Sequence, residues 1–317
     1  MKPVRVGVVG VGHLGYHHAR VYSGLPGAEL IGVVDTDSER RDAVAAEFST
    51  RGFGSVRDLV AQGIDAASVA VPTTAHHKVG LELIDAGVDL LLEKPIAADT
   101  DEAADLVARA AGRGALLQVG HVERFNGAVV ALIDAVKSPR FIECHRLSPY
   151  PSRGDDVSVV LDLMIHDLEI VLALVGDEVA SVDGVGVPVF SQSEDIANAR
   201  LRFASGCVAN ITCSRVSMER MRKIRIFSAD AYVSTDYSAQ EVLVYRKKPG
   251  PLREGMSPMD LISIDPLEVH REEPLKRELE SFVDCVRSRT RPLVSGEDAL
   301  AALTLAQRII DSIRKQT

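Results

Sequence analysis

The sequence is short of the features that mark specialised chains. It carries four cysteines, Cys144, Cys207, Cys213 and Cys285, with neither Cys-x-x-Cys spacing nor a zinc-type pairing with histidine. That pattern excludes a disulfide framework, leaves no metal site expected, and reads as buried reduced thiols of a cytoplasmic protein. Apolar runs are broken within about ten residues, well short of the roughly 20 that a membrane-spanning helix needs. Positive charge is in deficit, the net charge being −9, so a nucleic-acid partner is not expected. Internal repeats and low-complexity tracts are missing too. Residues 1–10 turn apolar almost at once and run into a glycine loop, so they read as a first strand and not as a secretory leader.

What is present is an ordinary globular composition, 46% hydrophobic and 26% charged over 317 residues, a length that suits two domains. Strand and helix signals alternate at first. Val4–Val9, Leu30–Asp35, Ala67–Val71, Asp89–Leu92 and Ala115–Val119 are short runs rich in Val, Leu and Ile, as in strands covered on both faces. Between them lie helical stretches: His13–Ser23, His76–Ala86 stopped by Gly87, and Asp101–Ala111 stopped by Gly112. The alternation predicts right-handed crossovers and a doubly wound parallel sheet, a Rossmann domain over residues 1–121.

Residues 122–317 follow another pattern. A helix is predicted over Val159–Val175, stopped by Gly176. Period-two alternation follows in Ala197–Phe203, a Ser205-Gly206 turn, Val208–Ile211, Lys223–Phe227, Ala231–Thr235 and Glu241–Tyr245. These predict a large, mainly antiparallel sheet in an α+β domain. Two helices close the chain. Leu275, Leu279, Phe282, Val283 and Val286 form one apolar stripe on the first. The second opens on a capping box, Ser295 with Asp298, and buries Leu300, Leu303, Ile310 and Ile313.

Three segments carry chemistry. Gly10-Val11-Gly12-His13-Leu14-Gly15 follows the first strand and leads into a helix. The first glycine permits a tight turn, the second lets the backbone approach a pyrophosphate, and the third lets helix and strand pack closely. Free N–H groups at the helix start then face the phosphates. Asp35 ends the second strand twenty residues past Gly15, where a carboxylate accepts from the adenosine ribose hydroxyls. A carboxylate there repels a 2′-phosphate and Asp37 adds to it, so NAD is favoured over NADP, with Arg40 and Arg41 as the opposing signal.

Glu93-Lys94-Pro95 follows the fourth predicted strand, and ligands of such sheets bind beyond the carboxyl ends of strands. Lys94 is therefore either a residue of the nicotinamide end of the crevice or a solvated loop lysine. Pro95 fixes the backbone there, with a cis bond as one option. In the predicted helix of the second domain, Asp162 and His166 are spaced i,i+4, followed by Asp167 and Glu169, on a segment otherwise almost wholly apolar. Such a polar stripe needs partners or a site. A core histidine held by Asp162 is the structural alternative.

Taken together, these segments resemble the Gfo/Idh/MocA oxidoreductase family over nearly the whole length. The glycine loop, Pro72 with His76 four residues later, Glu93-Lys94-Pro95, Asp162…His166-Asp167 and the closing Pro274-Leu275…Glu278-Leu279…Phe282 carry the resemblance. It implies cofactor contacts at Gly10, Gly12, His13, Leu14, Gly15, Asp35, Pro72, Thr73, His76, Glu93 and Lys94, with Lys94, His166 and Asp162 flanking the reacting carbon. It also implies a homodimer or homotetramer through the open face of the sheet in residues 180–246. Gly120-His121-Val122-Glu123-Arg124-Phe125-Asn126 and His145-Arg146-Leu147-Ser148-Pro149 resemble the branch that oxidises nucleotide sugars, bacterial UDP-N-acetylglucosamine 3-dehydrogenases of lipid A assembly among them. A proline usually follows the asparagine in that branch; here it is Gly127. Substrate contacts are implied at His121, Arg124, Asn126 and Arg146, and Arg153 joins them by sequence order, the three arginines being candidates for a diphosphate or, equally, solvated surface cations.

The reaction implied is hydride transfer between a sugar hydroxyl carbon and the nicotinamide. His166 would take the hydroxyl proton, an imidazole pKa near 6.5 suiting a base at neutral pH. Asp162 would orient the ring, and Lys94 would stabilise charge on the oxygen. Two rivals stand beside this reading. One is a cyclitol or monosaccharide dehydrogenase of the inositol type. The other is a non-catalytic NAD-binding regulator, which would be expected to lack the lysine or the histidine.

Overall fold

The computed structural model describes residues 2–150, 157–229, 231–248, 250, 255 and 257–315. In chain order the first elements are β1 (Val4–Val9), α1 (His13–Gly24), β2 (Ala28–Val34), α2 (Ser38–Glu47), β3 (Arg51–Phe53) and α3 (Val56–Val60). They continue with β4 (Ala66–Val69), α4 (His76–Asp85), β5 (Asp89–Glu93), α5 (Thr100–Arg113) and β6 (Leu117–Gly120). Then come α6 (Gly127–Ala135), β7 (Phe141–Leu147), α7 (Ile165–Val175), β8 (Val179–Val187), β9 (Ile196–Phe203) and β10 (Val208–Ser214). The last are β11 (Met221–Phe227), β12 (Ala231–Asp236), β13 (Glu241–Lys247), β14 (Ile262–Pro266), α8 (Pro274–Ser288) and α9 (Gly296–Arg314).

The first sheet has the order β3-β2-β1-β4-β5-β6 with every pairing parallel. This is the doubly wound Rossmann order, and it sets the ligand crevice at the carboxyl ends of β1 and β4, where the winding reverses. Val6, Val8, Leu90, Leu91 and Leu92 are fully buried, each worth roughly 1.5–3 kcal/mol on burial. Helix boundaries follow local chemistry. Asp99 caps α5 through the Asp101 and Glu102 N–H groups. Its stop is Gly114 in the left-handed region (φ 66°), one half-turn beyond the expected Gly112.

The second sheet has the order β14-β13-β12-β11-β7-β10-β9-β8. All its pairings are antiparallel except β7 with β10 at its centre. The expected β9–β10 hairpin forms, with Gly206 at φ 87° in the turn. β7 was not predicted, and its sequence shows why: the inward positions are Ile142, Cys144 and Arg146, so the alternation carries an arginine where an apolar residue was sought. The predicted helix over Val159–Val175 is also not uniform. Residues Val160–Met164 wind as a π-turn, with the Ile165 N–H reaching the Val160 carbonyl, before α7 begins. Its start is pinned at Val159, whose N–H donates to the Glu194 carbonyl and whose carbonyl faces the Cys213 thiol at 3.6 Å.

The chain forms two compact units, Met1–Val122 with Glu273–Leu303, and Glu123–Glu272 with Thr304–Thr317. A single division after residue 121 does not describe the return of 273–303. The cause is the stripe on α8: Leu279, Phe282, Val283 and Val286 join the core of β1, α1 and α2. In the second unit α6, α7 and the end of α9 cover one face of the sheet around Ile142, Ala199, Leu201, Ile211, Ile224 and Val244.

Candidate functional site

At the carboxyl end of β1, each glycine of the loop has a distinct steric reason. Gly10 has φ 82°, and a Cβ there would stand 2.8 Å from the Ala70 carbonyl oxygen. A Cβ on Gly15 would lie 1.8 Å from the Gly10 carbonyl oxygen, so helix and loop pack without room for a methyl group. Gly12 is the opposite case, with Arg40 Nη1 at 3.7 Å as the nearest atom to such a Cβ. This residue keeps its surroundings open, and α1 starts on it with no side-chain cap and no acidic residue in the first turn. Uncapped N–H groups at an open helix start fit a pyrophosphate. His13 and Leu14 are exposed on the same loop.

Asp35 is buried beside that loop. Its Oδ2 accepts from the Val11 N–H at 2.9 Å and its Oδ1 from the Asp37 N–H at 2.9 Å. Two backbone donors fix the carboxylate, and each oxygen retains a second lone pair for a ribose hydroxyl. Arg40 lies close, its Nη2 on Asp37 Oδ2 at 2.7 Å and its Nη1 3.8 Å from Asp35 Oδ2. The Arg40 backbone N–H, then its side chain, hold the Asp37 carboxyl below its ordinary range.

Pro72 and Thr73 follow β4, exposed and half-buried. His76 is buried, with Nδ1 2.9 Å from the Pro95 carbonyl oxygen and Nε2 3.0 Å from that of Val71. Burial, opposed by these contacts, lowers its pKa. Both ring nitrogens face main chain, so His76 straps the β4 and β5 ends together and bears on a cofactor only through that backbone. Lys94 is half-buried, and the Lys94–Pro95 bond is cis.

In the second unit, Asp162 lies in the π-turn and His166 in the first turn of α7, both half-buried. π-turns recur at functional sites. Around them is a buried ion network that the sequence reading missed. Arg146 grips Asp167 with two bonds, Nε to Oδ2 at 2.8 Å and Nη2 to Oδ1 at 3.0 Å, and reaches Glu123 Oε1 with Nη1 at 3.2 Å. Arg124 Nη1 donates to Glu169 Oε1 at 2.8 Å, and Arg222 Nη1 to Glu123 Oε1 at 3.3 Å. Burial opposes the charge on Arg146, but Asp167 and Glu123 outweigh it and raise its pKa further. Three cations thus face three carboxylates. Arg124 and Arg146 are therefore neither solvated surface cations nor uncommitted diphosphate ligands: both guanidinium groups are engaged by carboxylates from α7 and the 122–125 turn.

Asn126 caps α6 through the Ala128 N–H and donates to Glu123 Oε2 and the Tyr237 carbonyl, both at 3.3 Å. Gly127 also has its explanation: a Cβ there would stand 2.2 Å from the His270 carbonyl oxygen, so a proline fits only if that backbone shifts. His121, in the first unit, is buried just past β6. Arg153 lies outside the described residues. Among the six network residues, Asp167 and Glu169 had a visible signal, carboxylates on an apolar helix, but nothing in the sequence names their arginine partners.

Residues 4–121 match the model of the Gfo/Idh/MocA oxidoreductase family, described as an NAD-binding Rossmann fold, and residues 138–233 match that family's C-terminal domain. The UDP-N-acetylglucosamine 3-dehydrogenase of Acidithiobacillus ferrooxidans is 37% identical over 307 residues, covering 95% of this chain and 96% of the relative. A solved structure of that organism's UDP-N-acetylglucosamine 3-dehydrogenase GnnA superposes with a TM-score of 0.92 at 34% identity over 99% of each chain. The scyllo-inositol 2-dehydrogenase (NAD(+)) of Bacillus subtilis is 28% identical over 331 residues, covering 98% of this chain and 94% of the relative.

Proposed function

The chain belongs to the Gfo/Idh/MocA oxidoreductase family and is an NAD-dependent sugar dehydrogenase, and we propose that its substrate is a nucleotide sugar, UDP-N-acetylglucosamine, oxidised at its 3-hydroxyl. The observation that carries the substrate reading is the full-length similarity to the Acidithiobacillus ferrooxidans enzyme, whose name states that reaction. When bound, NAD supplies the hydride acceptor. The glycine loop would hold the pyrophosphate by its N–H groups, and Asp35 would take the adenosine ribose.

In this reading His166 removes the hydroxyl proton, Asp162 orients its ring, and Lys94 hydrogen-bonds the oxygen as negative charge develops. Arg146 and Arg124 act indirectly, fixing α7 through Asp167 and Glu169. The same reading places the enzyme in the cytoplasm, supplying a keto sugar to an aminotransferase of lipid A assembly. It also makes the enzyme a homodimer or homotetramer. A row of aromatic rings on the sheet, Phe141, Phe227, Tyr232 and Tyr245, with centroids 5.8, 4.7 and 4.8 Å apart, supports a packed face there.

A second reading, a cyclitol dehydrogenase, is favoured by one observation: the two arginines in the nucleotide-sugar segments are already neutralised. The deciding experiment follows NADH absorbance with UDP-N-acetylglucosamine, free N-acetylglucosamine and inositols, with a ketone trap. Activity on the UDP-sugar is expected to exceed that on the free sugar by orders of magnitude, because the diphosphate and base add binding remote from the reacting carbon. Equal rates with inositol select the second reading.

A further inference from the structure

Behind Lys94 runs a buried polar seam of which the reading above uses only Glu93, as an implied cofactor contact. Glu93, the last residue of β5, is buried, with Oε1 3.0 Å from His18 Nε2 of α1 and Oε2 accepting the Lys94 main-chain N–H at 3.2 Å. The next strand makes room for this carboxylate, since a Cβ on Gly120 of β6 would stand 2.9 Å from Glu93 Oε2. Gln118, also on β6, donates to the Glu278 carbonyl of α8 at 3.3 Å. His18 and Glu278 are both 0% exposed. The ionisable groups bearing on Glu278 are Glu93 from β5 and Tyr22 from α1, whose hydroxyl is engaged with Ser68 at 2.8 Å.

We propose that His18, Glu93 and Glu278 form one buried positioning cluster for Lys94, in which Glu93 is the anion that fixes the main chain at Lys94 and Glu278 is a neutral acid behind it. The proposal rests on the reading of Lys94 given above. Glu93 and Glu278 are joined through β6, with Gly120 against the Glu93 carboxyl and Gln118 on the Glu278 main chain, and two carboxyls buried in one such seam do not both ionise, because each charge raises the cost of the other. The donors decide which one carries the charge. Glu93 accepts from the Lys94 N–H and faces the His18 ring nitrogen, whereas both carboxyl oxygens of Glu278 are without a hydrogen-bond partner. Burial first, and then the charge of Glu93, push the Glu278 carboxyl well above the ordinary range. With the proton on Glu278, Glu93 is the one carboxylate of these two, one residue from Lys94, and α1, β6 and α8 all bear on where it sits. His18, Glu93 and Glu278 are positioning residues, acting only through Lys94.

The test combines infrared spectroscopy with kinetics on the full-length enzyme and NAD. The wild type at neutral pH is expected to show the C=O band of an un-ionised buried carboxyl, lost in Glu278→Gln and retained in Glu93→Gln. Glu93→Gln is expected to lower kcat about 10²-fold, the scale of a small misplacement of a reacting group, with melting temperature little changed. Glu278→Ala should slow turnover and Glu278→Gln, isosteric with the neutral acid, should restore most of it. The double variant Lys94→Ala/Glu93→Gln should be no slower than Lys94→Ala. Absence of the band, multiplicative loss in the double variant, or a Glu93→Gln enzyme as fast as wild type overturns the proposal. Normal turnover in Lys94→Ala instead overturns the reading of Lys94 on which it rests, so the two failures are distinct. If Glu93→Gln does not fold, the infrared band and the Glu278→Ala and Glu278→Gln pair still decide.

Discussion

Replacing Arg146 by methionine is the sharpest perturbation of the second unit. The side chain is unbranched, apolar and suited to burial, though shorter, and it removes two hydrogen bonds from Asp167 and one from Glu123. Glu123 keeps Arg222 at 3.3 Å, whose half-exposed guanidinium can adjust. Asp167, 1% exposed, keeps its charge and loses its cation. Breaking a buried pair from one side costs about 3–5 kcal/mol. For a unit of this size that is about 6–20 °C in melting temperature. Scanning calorimetry measures it, and the double variant Arg146→Met/Asp167→Leu should recover much of the loss, since a packed apolar pair can replace a buried ion pair. Asp167 follows His166 directly, so the single variant should also lower kcat while leaving NAD affinity, a property of the first unit, intact. An Arg146→Met protein that melts like the wild type but has a much higher KM for a UDP-sugar would refute this account and restore Arg146 as a diphosphate ligand.

Asp35→Ala should weaken NAD and narrow its preference over NADP, read by calorimetry; equal affinities in the wild type would contradict the ribose assignment. Gly127→Pro, restoring the residue usual in the nucleotide-sugar branch, should destabilise by roughly 1–3 kcal/mol as an overpacked site, because its Cβ meets the His270 carbonyl; an unchanged melting temperature argues against that contact. Lys94→Ala and His166→Ala should each slow turnover roughly 10²–10⁴-fold with NAD affinity retained, while a His166→Ala enzyme of normal rate and lowered melting temperature would make His166 a core residue. Glu278 titrates above its unfolded value near 4.3, so the folded state holds the extra proton and stability falls as pH rises from about 4 upward; Glu278→Gln should flatten that slope in pH-dependent melting curves.

The glycine loop and the strands β1 and β5 were legible in sequence because their signals are local, whereas the return of α8 to the first unit was not. Gly10 and Gly15 answer to an atom within a few residues of chain or at the adjacent strand end, and the Val and Leu runs of β1 and β5 need no distant partner to declare themselves. The ion network was illegible for the converse reason. An arginine in a sequence looks the same whether it meets water, a phosphate or a carboxylate, and Arg146 and Asp167 stand 21 positions apart, joined only once β7 and α7 are packed. The same arginine concealed the strand that carries it. A charge at an inward position breaks the apolar alternation by which a strand is recognised, so β7 and the network were lost to one cause. The π-turn left no trace either, since Val160–Met164 is apolar except for Asp162, and the contacts that hold Val159 at its start come from residues distant in sequence. What the sequence did offer was a balance of charges. Glu123 beside Arg124, and Asp167 and Glu169 on an apolar helix, are groups that burial permits only in pairs. Carboxylates on a buried helix therefore imply cations to meet them, and Arg124 and Arg146 are the residues that do so.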